Sequence, residues 1–281
     1  MVSGRRQAVD GVFIKANASL DSLIERDILA DADTYAEELR SNEEGVTPSV
    51  VKLKTPPVKE LHELKKNASN KTHYSPTDPD AKLSVKPGKA TALNYLGQVS
   101  VDTASHIITH VQAFTADKRD SQCLPDVLPH LIENLKENDL KLEEVIADTG
   151  YSSGEALKAL EEHNIKGYIP NRAQFNHEKE GFIFQPEGNY YTCQNDKKLT
   201  YRGLFLAGAY WNHEYRINKK ECGECPFKDQ CTASNKKGAM IRQTVDKAYY
   251  DRMHIRMQSR KAKILMKKRQ SNRRTRNRHT Y

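Results

Sequence analysis

Two aspartates stand out as groups that could do chemistry. Asp10 lies in Val9-Asp10-Gly11 and Asp148 in Ala147-Asp148-Thr149-Gly150-Tyr151-Ser152, at the ends or edges of strand-like apolar runs beside glycine. A carboxylate there is exposed at the rim of a sheet, while its backbone is held by the core. Hard divalent ions such as Mg2+ take a few carboxylate oxygens and keep several waters, so two such residues on neighbouring strands could anchor one ion or a pair. Two ions flanking a phosphate would stabilise both the entering and the leaving oxygen of an in-line displacement. Taken singly, an Asp beside Gly reads first as a cap of the following turn. The pair carries weight only together with the order of the elements around it.

A second constellation is sulfur. Cys222-Gly223-Glu224-Cys225-Pro226 contains a Cys-x-x-Cys, Cys231 follows six positions later, and Cys193 lies in Tyr191-Thr192-Cys193. Four thiolates could close a tetrahedral structural Zn2+ site of knuckle type. Reduced structural thiols are the other reading, because a full second Cys-x-x-Cys is missing. Cys123 lies far from this group and reads as a small buried residue. Asp102 also ends a β-run, but at a hairpin turn, and is read as a turn residue. His106 and His110 read as surface or cross-strand residues. Tyr190 and Tyr191 read as packing aromatics, since no activating base accompanies them.

The elements that must position the two aspartates follow from patterning. A strand is expected over Ala8–Ala16, then a helix capped by Ser19 and a second short helix over Val58–Lys66. A long loop fits Lys65–Ala92. Tyr95–Asp102 and His106–Phe114 form an expected hairpin across Thr103-Ala104-Ser105. A helix over Leu124–Lys136, a strand over Glu144–Asp148, a helix over Ser153–His163 capped by Ser153, and a strand over Ile165–Ile169 complete the series. Residues 181–237 are rich in aromatics, Gly and Cys and read as a small inserted β unit. After Gly238 there is neither Gly nor Pro, and Val245, Tyr249, Met253 and Met257 step by four, so the chain is expected to return to helix. This order implies an α/β fold, a mixed sheet flanked by helices.

The chain has 281 residues, with 37% hydrophobic and 29% charged residues and a net charge of +8. That length can bury a sizeable core and excludes a disulfide-stapled mini-protein. No basic-then-apolar leader and no spanning apolar run is present, so secretion and membrane insertion are not expected, and a reducing cytoplasm is. The charge is uneven. Residues 252–281 hold 12 Lys/Arg and no Asp or Glu, leaving 33 basic against 37 acidic residues before them. Such a block suits a polyanion, most often nucleic acid, because each neutralised phosphate releases counterions. A solvated basic end is the plainer reading.

Five segments then acquire a joint meaning: Asp10-Gly11-Val12-Phe13-Ile14-Lys15-Ala16-Asn17-Ala18, Thr77-Asp78-Pro79-Asp80-Ala81, Asn94-Tyr95, Val101-Asp102 and Ala147-Asp148-Thr149-Gly150-Tyr151-Ser152. In this order they resemble the DDE transposases of bacterial insertion sequences, from about Ala8 to Ser271. The Ala-Asp-Thr-Gly-Tyr-Ser element is the most distinctive. The resemblance implies a ribonuclease H-like core over 8–180 with an insert at 19–92, the Cys-containing insert at 181–237, a basic last core helix at 238–271 and an aberrant basic tail at 272–281. It implies metal-dependent cleavage at insertion-sequence ends and joining of the 3′-hydroxyl to target DNA, with Asp10 and Asp148 as the first two catalytic acids on a two-Mg2+ site. Its implied partners are end and target DNA and a homo-oligomer, and its location the nucleoid.

One departure is plain. The family's third acid is a Glu a few residues after a segment resembling Lys267-Lys268-Arg269-Gln270-Ser271, and here no Glu occurs after Glu224. That reads as a frameshift or premature end, and the nine residues before Asp10 read as a shortened start. The expectation is therefore an impaired transposase, with a catalytically inactive, DNA-binding remnant as the alternative.

Overall fold

The computed structural model of this chain describes residues 2–25, 68–85, 90–172, 175, 179–208, 210–231, 233–235 and 238–276. In chain order its elements are β1 (Arg6–Lys15), β2 (Ile24–Glu25), β3 (His73–Tyr74), β4 (Lys82–Ser84), β5 (Ala92–Asp102), β6 (Ile108–Thr115), α1 (Asp120–Lys136), β7 (Glu144–Ile146), α2 (Gly154–Glu162), β8 (Lys166–Tyr168), β9 (Phe182–Gln185), β10 (Tyr190–Cys193), β11 (Lys198–Ala207), β12 (Tyr210–Arg216), α3 (Lys219–Gly223), β13 (Ser234–Asn235), β14 (Gly238–Thr244), α4 (Lys247–Gln258) and α5 (Arg260–Arg276). One sheet has the order β4-β5-β1-β7-β8 with β6 paired to β5, and a second the order β13-β14-β12-β11-β10-β9. β1–β7 and β7–β8 are parallel and β4–β5 is antiparallel, so the first sheet is mixed. This is an α/β fold of ribonuclease H-like character.

Two compact units divide the chain: Met1–Asp10, Ser100–His110 and Asp120–Tyr281 in one, Gly11–Val99 and Val111–Arg119 in the other. In the first, β7 shows why helices cover both faces. Val145 and Ala147 join a core with Val9, Leu124, Leu128 and Leu157, drawn from β1, α1 and α2. Ile146 points the other way, into a cluster with Tyr168, Ala262 and Leu265 of α5. Successive strand residues alternate faces, so a strand covered on both sides must be apolar throughout, as Val145-Ile146-Ala147 is. The second sheet has its own core around Tyr191, Leu199, Tyr215 and Ile241. Tyr191 donates to Gln243 at 2.7 Å, and burial pushes its phenol up to about 12, as expected of a packing aromatic.

In the second unit, Ala16 N–H bonds Leu93 O at 2.9 Å and a small core forms from Ala16, Ala81 and Leu93. The Tyr95 hydroxyl donates to Asp78 at 2.5 Å, a bond that pushes the phenol up to about 12.

Several expectations change. Ser19 caps only a short 3-10 turn, Leu20–Ser22, followed by β2, because Leu23 turns extended. The remainder of that expected helix, and the one over Val58–Lys66, lie outside the described residues. The expected loop over Lys65–Ala92 contains β3 and β4. Residues 238–244 are strand, not helix: Ala239 and Ile241 are buried while Arg242 is exposed, a period of two that the four-residue step further on concealed. Helix resumes at Lys247 and is broken at Ser259, whose backbone is extended.

Candidate active site

The core places the two aspartates through strand register. β1 and β7 are parallel with Arg6 opposite Glu144 and Ala8 opposite Ile146. Continued by two residues, that register brings Asp10 level with Asp148. Val9 and Ala147, the residues just before them, are fully buried, so the backbone behind both carboxylates is anchored while the side chains stay partly exposed. A single guanidinium records their proximity: Arg269 Nη2 donates to Asp10 Oδ1 at 3.1 Å and lies 3.6 Å from Asp148 Oδ2.

Asp148 divides its oxygens between two tasks. Oδ1 accepts the Gly150 amide at 2.8 Å and so caps the 3-10 turn Thr149–Tyr151, the local role that an Asp-x-Gly sequence suggests. Oδ2 faces Arg269. Gly150 is needed for space, since a Cβ there would stand 2.8 Å from Asp148 Oδ1 and 3.3 Å from Asp120 Oδ2. Just beyond the turn, Ser153 caps α2 by accepting the Ala156 amide at 3.1 Å. Its hydroxyl also reaches Ser121 O at 3.5 Å, a carbonyl of α1 that Pro125, lacking an N–H, leaves without its helical donor.

The same geometry brings in two residues that sequence reasoning did not single out. Asp120 opens α1, and its carboxylate is across Gly150 from that of Asp148. Arg269 lies on α5, with a side chain only 12% exposed. Tyr151, fully buried beneath the turn, senses all of them. Burial pushes its phenol far up, the carboxylates of Asp120, Asp10 and Asp148 push it further, and Arg269 opposes them. It therefore stays protonated. The signal for Asp120 was an acid opening a helix. Arg269 had none beyond membership of a basic stretch.

Asp102 is a scaffold group. It is buried, accepts the amides of Ser3 at 2.8 Å, Gly4 at 3.0 Å and Ala104 at 2.8 Å, and so ties the chain start to the hairpin turn. Burial alone would raise its carboxyl, but the backbone amides hold it below the usual range.

In the second sheet the thiols gather loosely. Cys193, Cys225 and Cys231 line one cavity of about 190 Å³. Burial pushes the Cys222 thiol up, and Cys225, Cys231 and Cys193 push it further, against a lowering bond from the Ala239 amide. Cys123 is buried elsewhere and all five cysteines are unbridged. The donor chemistry of these four suits Zn2+ and that of Asp10 and Asp148 a hard divalent ion. Among the described residues, no three His, Cys, Asp or Glu side chains are gathered closely enough to hold a metal ion. A larger cavity, about 500 Å³, lies between α4 and the second sheet and contains neither aspartate.

The mixed, helix-covered sheet is that of a ribonuclease H-like α/β fold, and Asp10 and Asp148 stand together at its rim. Residues 73–210 match the family model described as transposase DDE domain, which supports a DDE-type transposase. The matched span includes Asp120, Asp148 and Cys193 and leaves Asp10 and Arg269 outside it. No curated protein and no solved structure matches the chain. The family acts on DNA and generally uses a divalent metal, usually Mg2+. Among the described residues no helix is long and apolar enough to cross a membrane.

Proposed function

We propose that this chain cuts DNA at the ends of an insertion sequence in the bacterial nucleoid and joins the freed 3′-hydroxyl to target DNA. Displacement at phosphorus is direct, by water and then by the 3′-hydroxyl, with no covalent protein intermediate. The observation that carries this reading is the meeting of Asp10 and Asp148 at one guanidinium nitrogen, from neighbouring parallel strands. Asp10 and Asp148 are the residues that would hold the divalent ion, which when bound supplies charge stabilisation at the phosphoryl group and eases attack by water. The chain itself orients these ligands: the Gly150 amide fixes one oxygen of Asp148, and buried Val9 and Ala147 fix the strands.

The basic helix supplies the polyanion contact. Arg260–Arg269 carries six Lys/Arg and no acid, and DNA bound there should show a steep loss of affinity with salt. The absence of an acid at the expected place, where Asn272-Arg273-Arg274 follow Ser271, supports an impaired enzyme, because losing one of three carboxylates costs orders of magnitude in rate. The same absence, with the basic helix intact, supports the second reading, a remnant that binds DNA without cutting it. Assembly as a homo-oligomer on paired DNA ends belongs to the first reading.

A Mg2+-dependent nicking assay on element-end DNA tests the proposal. Nicking above background that Asp10→Ala and Asp148→Ala each abolish is expected, and activity indifferent to either substitution rejects the site. Salt-sensitive DNA binding without any nicking selects the remnant. For the Cys insert we propose a structural Zn2+ held by Cys193, Cys222, Cys225 and Cys231, supported by the thiolate donor set and the Cys-x-x-Cys spacing of Cys222 and Cys225; it requires the thiols to draw closer together than they stand here. About one zinc per chain, lost with melting stability in Cys222→Ser, is expected by elemental analysis. Metal-free protein of unchanged stability refutes it.

A further inference from the structure

The guanidinium of Arg269 lies where a cation shared by the two aspartates would lie. Its Nη2 donates to Asp10 Oδ1 at 3.1 Å and to Val9 O at 3.5 Å, and stands 3.6 Å from Asp148 Oδ2. The side chain is 12% exposed, whereas those of Asp10 and Asp148 are 29% and 33% exposed, so the arginine closes the pair from the helix side. A Mg2+ sits about 2.1 Å from its oxygens. An ion held by both carboxylates on the side where that nitrogen stands would contact it, and one held anywhere between them would face a like charge a few ångströms away. Guanidinium and divalent ion therefore compete for the pair. The arginine also has an alternative partner: guanidinium is a bidentate match for phosphate, and Arg269 belongs to the helix that carries Lys263, Lys267 and Lys268.

We propose that Arg269 is an internal cation that keeps the Asp10–Asp148 pair closed to divalent metal until a DNA phosphate draws the guanidinium away. This rests on the reading of the two aspartates as metal ligands. Metal and DNA affinities are then linked: DNA raises metal affinity by the factor by which metal raises DNA affinity. The arrangement holds back metal-dependent chemistry in the absence of the substrate.

Mn2+ binding followed by electron paramagnetic resonance tests this without an activity readout. Arg269→Gln should bind Mn2+ about tenfold more tightly than the parent chain, with the gain lost in Arg269→Gln/Asp10→Asn. In the parent chain an oligonucleotide duplex should raise Mn2+ affinity by a similar factor, measured against Asp10→Asn with the same duplex to remove metal held by DNA alone. That second measurement needs no change at Arg269 and stands even if the variant folds poorly. Equal, Asp10-dependent affinities in parent and Arg269→Gln, unchanged by duplex, would overturn the guarding role and leave the metal site intact. No Asp10-dependent Mn2+ binding in any of these proteins would overturn the metal-site reading, and the guard with it.

Discussion

Glu144 is the hinge between the sheet and the helix that carries Arg269, and neutralising it should be costly. Its side chain is only 3% exposed, yet it accepts from Arg6 at 2.5 Å and from Lys261 of α5, two helical turns before Arg269. Burial would raise its carboxyl, but hydrogen bonds from Lys261 and Arg6 hold it below the usual range. Glu144→Gln keeps the shape and removes the charge. Losing one partner of a fully buried pair costs about 3–5 kcal/mol. Here Arg6 is 26% and Lys261 49% exposed, so both can turn to water, and about 2–3 kcal/mol is the expected loss. For a unit of this size that lowers the melting temperature by about 4–12 °C. The pH dependence follows from the depressed carboxyl. Its contribution is complete above the unfolded value near 4.3 and fades as pH falls through the lower folded value. Melting curves of parent and variant, followed by circular dichroism from neutral pH downward, should therefore converge in acid. A neutral-pH difference under about 1 °C, or one that persists undiminished to pH 2, would refute the reasoning.

Gly150→Ala should displace the Asp148 carboxylate, because its Cβ would stand 2.8 Å from Oδ1, and should weaken the Asp10-dependent Mn2+ binding measured with duplex present, with little change in helical circular dichroism. Gly154→Ala meets Asp246 Oδ2 at 2.0 Å and should cost about 1–3 kcal/mol, measured by urea denaturation. Asp102→Asn removes a buried charge that takes the Ser3, Gly4 and Ala104 amides, with an expected loss of about 1–3 kcal/mol at neutral pH that disappears in acid, measured by the same melts. Tyr191→Phe breaks the bond to Gln243 and should cost about 1 kcal/mol in melting stability. Nicking should be unaffected if the tyrosine is a packing residue.

Local chemistry was legible in the residues themselves. The Ser153 cap, the apolar run Val145-Ile146-Ala147, the Asp148–Gly150 turn and the packing role of Tyr191 depend on neighbours a few positions away, and period and spacing record them. The strand over 238–244 escaped for the same reason in reverse, because a stronger four-residue step follows it and dominates the pattern. What tertiary structure decided is the meeting of groups far apart in sequence. The register of β1 on β7 makes neighbours of Asp10 and Asp148, the start of α1 brings Asp120 to Gly150, and the docking of α5 delivers Arg269 between the acids. No local period encodes such contacts. They arise because burying both faces of one short apolar strand requires helices from distant parts of the chain, and those helices carry their polar ends to the same rim.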